Sequence, residues 1–336
     1  MNRQLFEYHP TFAYRFIPSL KARVDHEGGG YLIRTNEQGF RCRHDFRVEK
    51  PANGDRVLLF GDSYTAGDGV SNKDRFGDLL ETMIDGLEVY NFGLPGSGTD
   101  QHHLIYRDLG VAYEHDLVII AVLVENIRRV IARMRPFVSD EGQDLVLAKP
   151  YYQLEADGRL SLHNVPTPKE PISRDQLDSD ERGHVDESGR LVWLRQAVNA
   201  MGLPAKNLVQ RLTRYQPLPE FDDPDGPAWR LMKAILVQWI SELNRPVVVC
   251  PIPLYQHVEG TASPDAYRAR FRELEGLDGV TLHDPLEDFL AHPMDVRRGF
   301  RFGSDCHLTP RAHRVLAESL APCIRSIAAQ EGRSAS

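Results

Sequence analysis

Cysteine is scarce, long apolar runs are missing and basic residues are outnumbered by acidic ones in this 336-residue chain. Each shortage removes a class of protein. The four cysteines, Cys42, Cys250, Cys306 and Cys323, form no Cys-x-x-Cys pair, so neither a disulfide framework nor a zinc ribbon is expected and reduced thiols are. No run of about 18 apolar residues occurs, so no transmembrane helix or membrane insertion is expected. Residues 1–30 contain neither an apolar core nor a small-residue cleavage site, which makes a cytoplasmic location the default. Lys and Arg number 40 against 48 Asp and Glu, a net charge of −8, and such a chain has no global attraction to nucleic acid. No internal repeat and no G-x-G-x-x-G dinucleotide fingerprint is present. His102, His103, His257, His283 and His313 lack ligand spacing with nearby carboxylates, so neither a metal nor a cofactor is expected.

What is present is enough to bury a full core: 41% hydrophobic and 26% charged residues. From Asp55 onward short apolar runs alternate with helical periodicity. Arg56-Val57-Leu58-Leu59-Phe60, Leu87 to Phe92, Asp116 to Val124, Val247 to Cys250 and Val280 to His283 read as strands. Phe76, Leu79, Leu80, Met83, Ile84 and Leu87 share one helical face, as do Leu231, Met232, Ile235, Leu236, Trp239, Ile240 and Leu243. A last helix carries Leu316, Leu320, Ile324 and Ile327, with Thr309 expected to cap it and Pro310 at its first position. Strand and helix in alternation predict an α/β fold, a three-layer α/β/α sandwich around a mainly parallel five-stranded sheet. Residues 55–136 and 227–330 then form the main domain. Residues 1–54 are an N-terminal extension laid over it, and residues 137–226, with a hairpin at Tyr151 to Leu162, are an insertion read as a lid or small subdomain.

In a parallel sheet the reactive crevice lies beyond the carboxyl ends of the strands. The first strand is followed there by Gly61-Asp62-Ser63-Tyr64, the second by Gly93-Leu94-Pro95-Gly96-Ser97-Gly98, and the third by Glu125-Asn126. Asp305-Cys306-His307 precedes the last helix. Together these supply a hydroxyl, amide donors, an imidazole and a carboxylate. Each has a plainer reading: Ser63 and Asn126 as helix caps, the glycines as a tight turn, and Asp305 with His307 as a structural hydrogen bond. Cys306 reads as a packed thiol, because adjacent extended residues point in opposite directions.

Taken jointly, these blocks resemble the SGNH, or GDSL-type, hydrolase family. Gly61-Asp62-Ser63 is similar to its first block, Asn91-Phe92-Gly93-Leu94-Pro95-Gly96 to the second, Asn126 to the third and Asp305 with His307 to the last. The resemblance implies a flavodoxin-like strand order, Ser63 as nucleophile, His307 as general base and Asp305 as the residue orienting it. It also implies an oxyanion hole from the amides of Ser63 and Gly96 and the side chain of Asn126. Two features depart from the family pattern. The third block keeps only its asparagine, in Val124-Glu125-Asn126-Ile127, and Asp305 lies two residues before His307 where three is usual.

The expected activity is therefore hydrolysis of an ester, a short acyl or acetyl group on a saccharide or small metabolite, with no cofactor. Arg128, Arg129 and Arg301 are candidate contacts to the substrate. Transfer of the acyl group to another acceptor, and a catalytically silent carbohydrate-binding module, are the alternative readings.

Overall fold

The computed structural model describes residues 5–52, 54–138, 143–186 and 216–334. The chain opens with two antiparallel hairpins, β1 (Phe6–His9) with β2 (Ala13–Phe16) and β3 (Lys21–Val24) with β4 (Tyr31–Arg34). The central sheet begins with β5 (Asp55–Phe60), β6 (Leu87–Asn91) and β7 (Leu117–Leu123). The insertion contributes β8 (Met134–Val138), β9 (Asp144–Ala148), β10 (Tyr151–Leu154), β11 (Leu160–His163) and β12 (Ile172–Ser173). The central sheet then resumes with β13 (Val247–Ile252) and β14 (Val280–Leu282).

The five strands β6-β5-β7-β13-β14 are all parallel. Numbered within the sheet, their order is 2-1-3-4-5, the flavodoxin-like arrangement. Every residue of β7 is buried, as its unbroken apolar run requires when helices cover both faces. Adjacent residues at the end of β5 show the two faces. A Cβ added to Gly77 in α2 (Phe76–Met83) would lie 2.9 Å from Leu59. The Phe60 ring instead meets Tyr106 of α3 (Thr99–Asp108) and Trp239 of α5 (Pro227–Glu242) edge-on. Helix α2 packs on α6 (Pro310–Ser334), and α3 packs on α5, which completes the three layers. Two short helices, α1 (Ser63–Ala66) and α4 (Asn126–Arg129), start just beyond the carboxyl ends of β5 and β7.

Two local expectations are corrected. Helix α2 ends at Met83, and Leu87 opens β6 instead; Gly86, at φ +76°, makes the turn between them. The Thr309 hydroxyl donates to the Gly299 carbonyl at 2.8 Å, and among the described hydrogen bonds no helix N–H donates to it, so Thr309 meets α6 through its carbonyl, which accepts from the His313 N–H at 3.0 Å. Strand β8 joins the three-stranded sheet β12-β9-β8, and β10 and β11 form the expected hairpin. The predicted lid falls partly outside the described residues, at 139–142 and 187–215.

The N-terminal segment enters the main core. Phe12, Phe40 and Phe46 are at most 6% exposed, and the last two pack on Phe92 at the end of β6. Arg41 is fully buried, donating to the carbonyls of Gly67 and Val70 at 2.7 Å. Among the described residues no helix is long and apolar enough to cross a membrane.

Candidate active site

The turn after β5 is built by close approach. A Cβ on Gly61 would lie 2.1 Å from Thr65 Oγ1 and 2.8 Å from the Ala121 carbonyl, and one on Gly93 would lie 2.4 Å from the Ala66 nitrogen. Glycine at both positions lets α1 start directly at the sheet edge. Asp62 caps that helix, accepting from the Tyr64 N–H at 3.0 Å, while its other oxygen accepts from Arg129 Nη1 at 2.7 Å. Burial raises the Asp62 pKa, and Arg129 opposes the rise. Ser63 is thereby the first residue of α1, buried to 5% exposure.

Ser63 Oγ lies 2.8 Å from His307 Nε2. The opposite ring nitrogen, Nδ1, is 2.5 Å from Asp305 Oδ1, which also accepts from the His307 backbone N–H at 3.1 Å. A carboxylate two residues before a histidine can thus reach its ring by folding back over the intervening residue. Burial pulls the His307 pKa down, but the Asp305 hydrogen bond and the charges of Asp68, Asp305 and Asp62 outweigh it, and the net shift is upward. For Asp305, burial works to raise the pKa; hydrogen bonds from His307 and His26 prevail and hold it below the usual carboxylate range.

Amide donors collect at the same strand ends. In the turn after β6, the N–H groups of Gly93, Leu94, Ser97 and Gly98 are all taken, by Asn91 Oδ1, the Gly61 carbonyl, the Leu94 carbonyl and Gln101 Oε1. Among the described hydrogen bonds, the N–H groups of Gly96 and Ser63 have no acceptor. The buried Ser97 hydroxyl and His102, whose burial lowers its pKa to about 3, brace the turn from behind. Asn126 opens α4 fully buried, and neither its Nδ2 nor its Oδ1 has a partner. A buried side-chain amide with no protein partner is costly, and demands a ligand or water to explain it. Arg135 of β8 packs on the same turn: its Nη2 would lie 1.6 Å from a Cβ on Gly96, so its guanidinium covers that glycine. It is held there by Tyr14 Oη and the Pro95 carbonyl.

In motif order and geometry the chain resembles an SGNH hydrolase. Neither a protein-family profile nor a curated protein matches it. Among solved structures it is similar to a member of the lipolytic protein G-D-S-L family from Veillonella parvula, at 12% identity over 80% of this chain and 96% of the other, with a TM-score of 0.41. It is also similar to the lipase/acylhydrolase from Enterococcus faecalis, at 13% identity over 81% and 96%, with a TM-score of 0.40.

The arginines singled out as substrate contacts are each engaged within the protein. Arg128 pairs with Glu220 at 2.5 Å, Arg129 with Asp62 as above, and Arg301 with Glu259 at 2.7 Å beneath the Tyr255 ring. Cys306 is half-buried and in no disulfide among the described residues, and its carbonyl accepts from Tyr64 Oη at 2.9 Å. Among the described residues no group of three or more His, Cys, Asp or Glu is arranged to hold a metal ion. Two residues near Asp305 escaped sequence reasoning altogether: His26 and Glu27, from the turn between β3 and β4. Neither sits in a recognisable motif, and both lie nearly the full chain length from their partners.

Proposed function

We propose that the protein is a serine esterase of the SGNH type, with Ser63 as nucleophile. The observation carrying this reading is the hydrogen-bonded chain Ser63 Oγ, His307, Asp305, with contacts of 2.8 Å and 2.5 Å. His307 Nε2 takes the hydroxyl proton as Oγ adds to the acyl carbonyl, and returns it to the departing alkoxide. Water then enters, His307 removes its proton as the water oxygen adds to the acyl carbon, and the proton passes to Ser63 Oγ as the acyl–Oγ bond breaks and the acid leaves. Asp305 keeps the Nδ1 proton in place and offsets the charge of the imidazolium. The unpartnered donors at Ser63 N, Gly96 N and Asn126 Nδ2 are suited to the oxyanion that forms twice in this cycle.

For the acyl group we favour a short one, acetyl above all, on a saccharide or small metabolite. Among the described residues the exposed large apolar side chains are few: Tyr8, Val48, Val111 and Ile131 fall on separate segments, and Leu162 and Val165 are the one pair close in sequence. A graded series of p-nitrophenyl esters tests both parts. Turnover is expected to be highest for acetate and to fall with chain length, and Ser63→Ala is expected to lose it by on the order of 10⁴–10⁶-fold. Undiminished turnover in Ser63→Ala would end the acyl-serine reading.

A further inference from the structure

The loop bearing Asp305 and His307 is gripped by a turn from the other end of the chain. Glu27 spreads its carboxylate beneath three consecutive backbone N–H groups. Oε1 accepts from Ser304 N at 2.9 Å and Asp305 N at 2.8 Å, and Oε2 accepts from Gly303 N at 3.0 Å. The Ser304 hydroxyl adds a bond of 2.7 Å to Oε1. A single carboxylate thus fixes the backbone of the residue that contacts His307.

Beside it, His26 Nε2 lies 3.0 Å from Asp305 Oδ2, the oxygen that His307 leaves open. Its tautomer is set by its other nitrogen: Nδ1 accepts from the Gly28 N–H at 3.2 Å, so in the neutral ring the proton sits on Nε2 and is donated to Asp305. The ring is wedged edge-on against Phe302 and Tyr31, with centroids at 4.4 Å and 5.8 Å. Phe302 is in turn enclosed by Gly28 and Gly69, where an added Cβ would approach to 2.7 Å. Asp305 therefore has donors on both oxygens, one from each histidine, and cannot rotate about χ2 without losing one of them.

Building on the acyl-serine reading, we propose that His26 and Glu27 are positioning residues that hold Asp305 in the rotamer facing His307. They do not touch substrate. Their action is through Asp305 and the loop backbone, and a misplacement of about 1 Å at such a site can cost up to roughly 100-fold in rate. The fit of substrate to the crevice does not depend on them, so kcat should move while KM stays.

The test uses the full chain and p-nitrophenyl acetate, comparing wild type with His26→Leu, His26→Gln, Glu27→Gln and Ser63→Ala. His26→Leu is expected to lower kcat by roughly 10–100-fold with KM within about twofold. Glutamine places an amide N–H near the Nε2 position, so His26→Gln is expected to recover most of that loss. Glu27→Gln, which loses the charge beneath three N–H groups, is expected to lower kcat severalfold. Wild-type kcat in His26→Leu, or equal impairment of the Leu and Gln variants, overturns the proposal. If His26→Leu lacks a cooperative thermal transition, an unchanged kcat in Glu27→Gln overturns it instead. Activity persisting in Ser63→Ala would count against the acyl-serine reading, whereas an inactive Ser63→Ala beside a fully active His26→Leu would defeat only the positioning role.

Discussion

Asn126 presents an amide that the folded protein leaves unused. Its side chain is fully buried with both polar atoms unpartnered, and removing such a group need not weaken the fold. Asn126→Ala should therefore lower kcat on p-nitrophenyl acetate by about 10²–10³-fold, while the urea midpoint stays level or rises. A residue with a purely structural role would show the reverse. His307 gives a second prediction at this scale. Only its neutral ring can accept the Ser63 proton, and its pKa is raised above the 6.5 of an ordinary histidine. The acidic limb of kcat/KM should then lie above pH 6.5, with activity falling as pH drops through it. Asp305, held low, stays ionised across that range and adds no limb near neutrality. A limb below pH 6 in the pH profile would contradict this. Ser63, Gly96, Asn126, Asp305 and His307 were legible as candidates because each follows or precedes a strong strand or helix signal. His26 was not, because its contact with Asp305 spans 279 residues and leaves no local pattern.

At the scale of elements, the five core strands could be read from their apolar runs and their parallel direction from the helices between them, whereas their order was implied only by the family resemblance. Boundaries were less legible where one residue satisfies two patterns, as Leu87 fits both the face of α2 and the first position of β6. The arginines around α4 show another limit: sequence gives their charge but not their partners. Arg129 and Asp62 are 11% and 1% exposed in their side chains, and breaking a buried pair from one side strands the other charge. Arg129→Met should cost about 3–5 kcal/mol in unfolding free energy. Arg128 and Glu220 are each 25% exposed, so Arg128→Met should cost no more than about 1 kcal/mol. Urea denaturation of the two variants distinguishes these outcomes, and equal losses would contradict the assignment of Arg129 as a strut under the Ser63 turn.

At the scale of the whole molecule, the described N-terminal segment, residues 5–52, contributes side chains to the main core. Their irregular pattern hid this, since Phe12, Phe40 and Phe46 lie outside the regular strands and show no periodicity. Phe40→Ala should cost about 3–5 kcal/mol, as for any large buried aromatic, and should shift the unfolding transition of the entire chain. A separate early transition would show instead that the segment unfolds alone.

Ser63 and His307 are separated by 244 positions along the chain. A ribosome-bound polypeptide therefore carries its serine hydroxyl, and the Glu27 and His26 that await the last loop, long before any base is available to activate it. On this architecture the proposed nucleophile has no imidazole beside it until synthesis has passed His307.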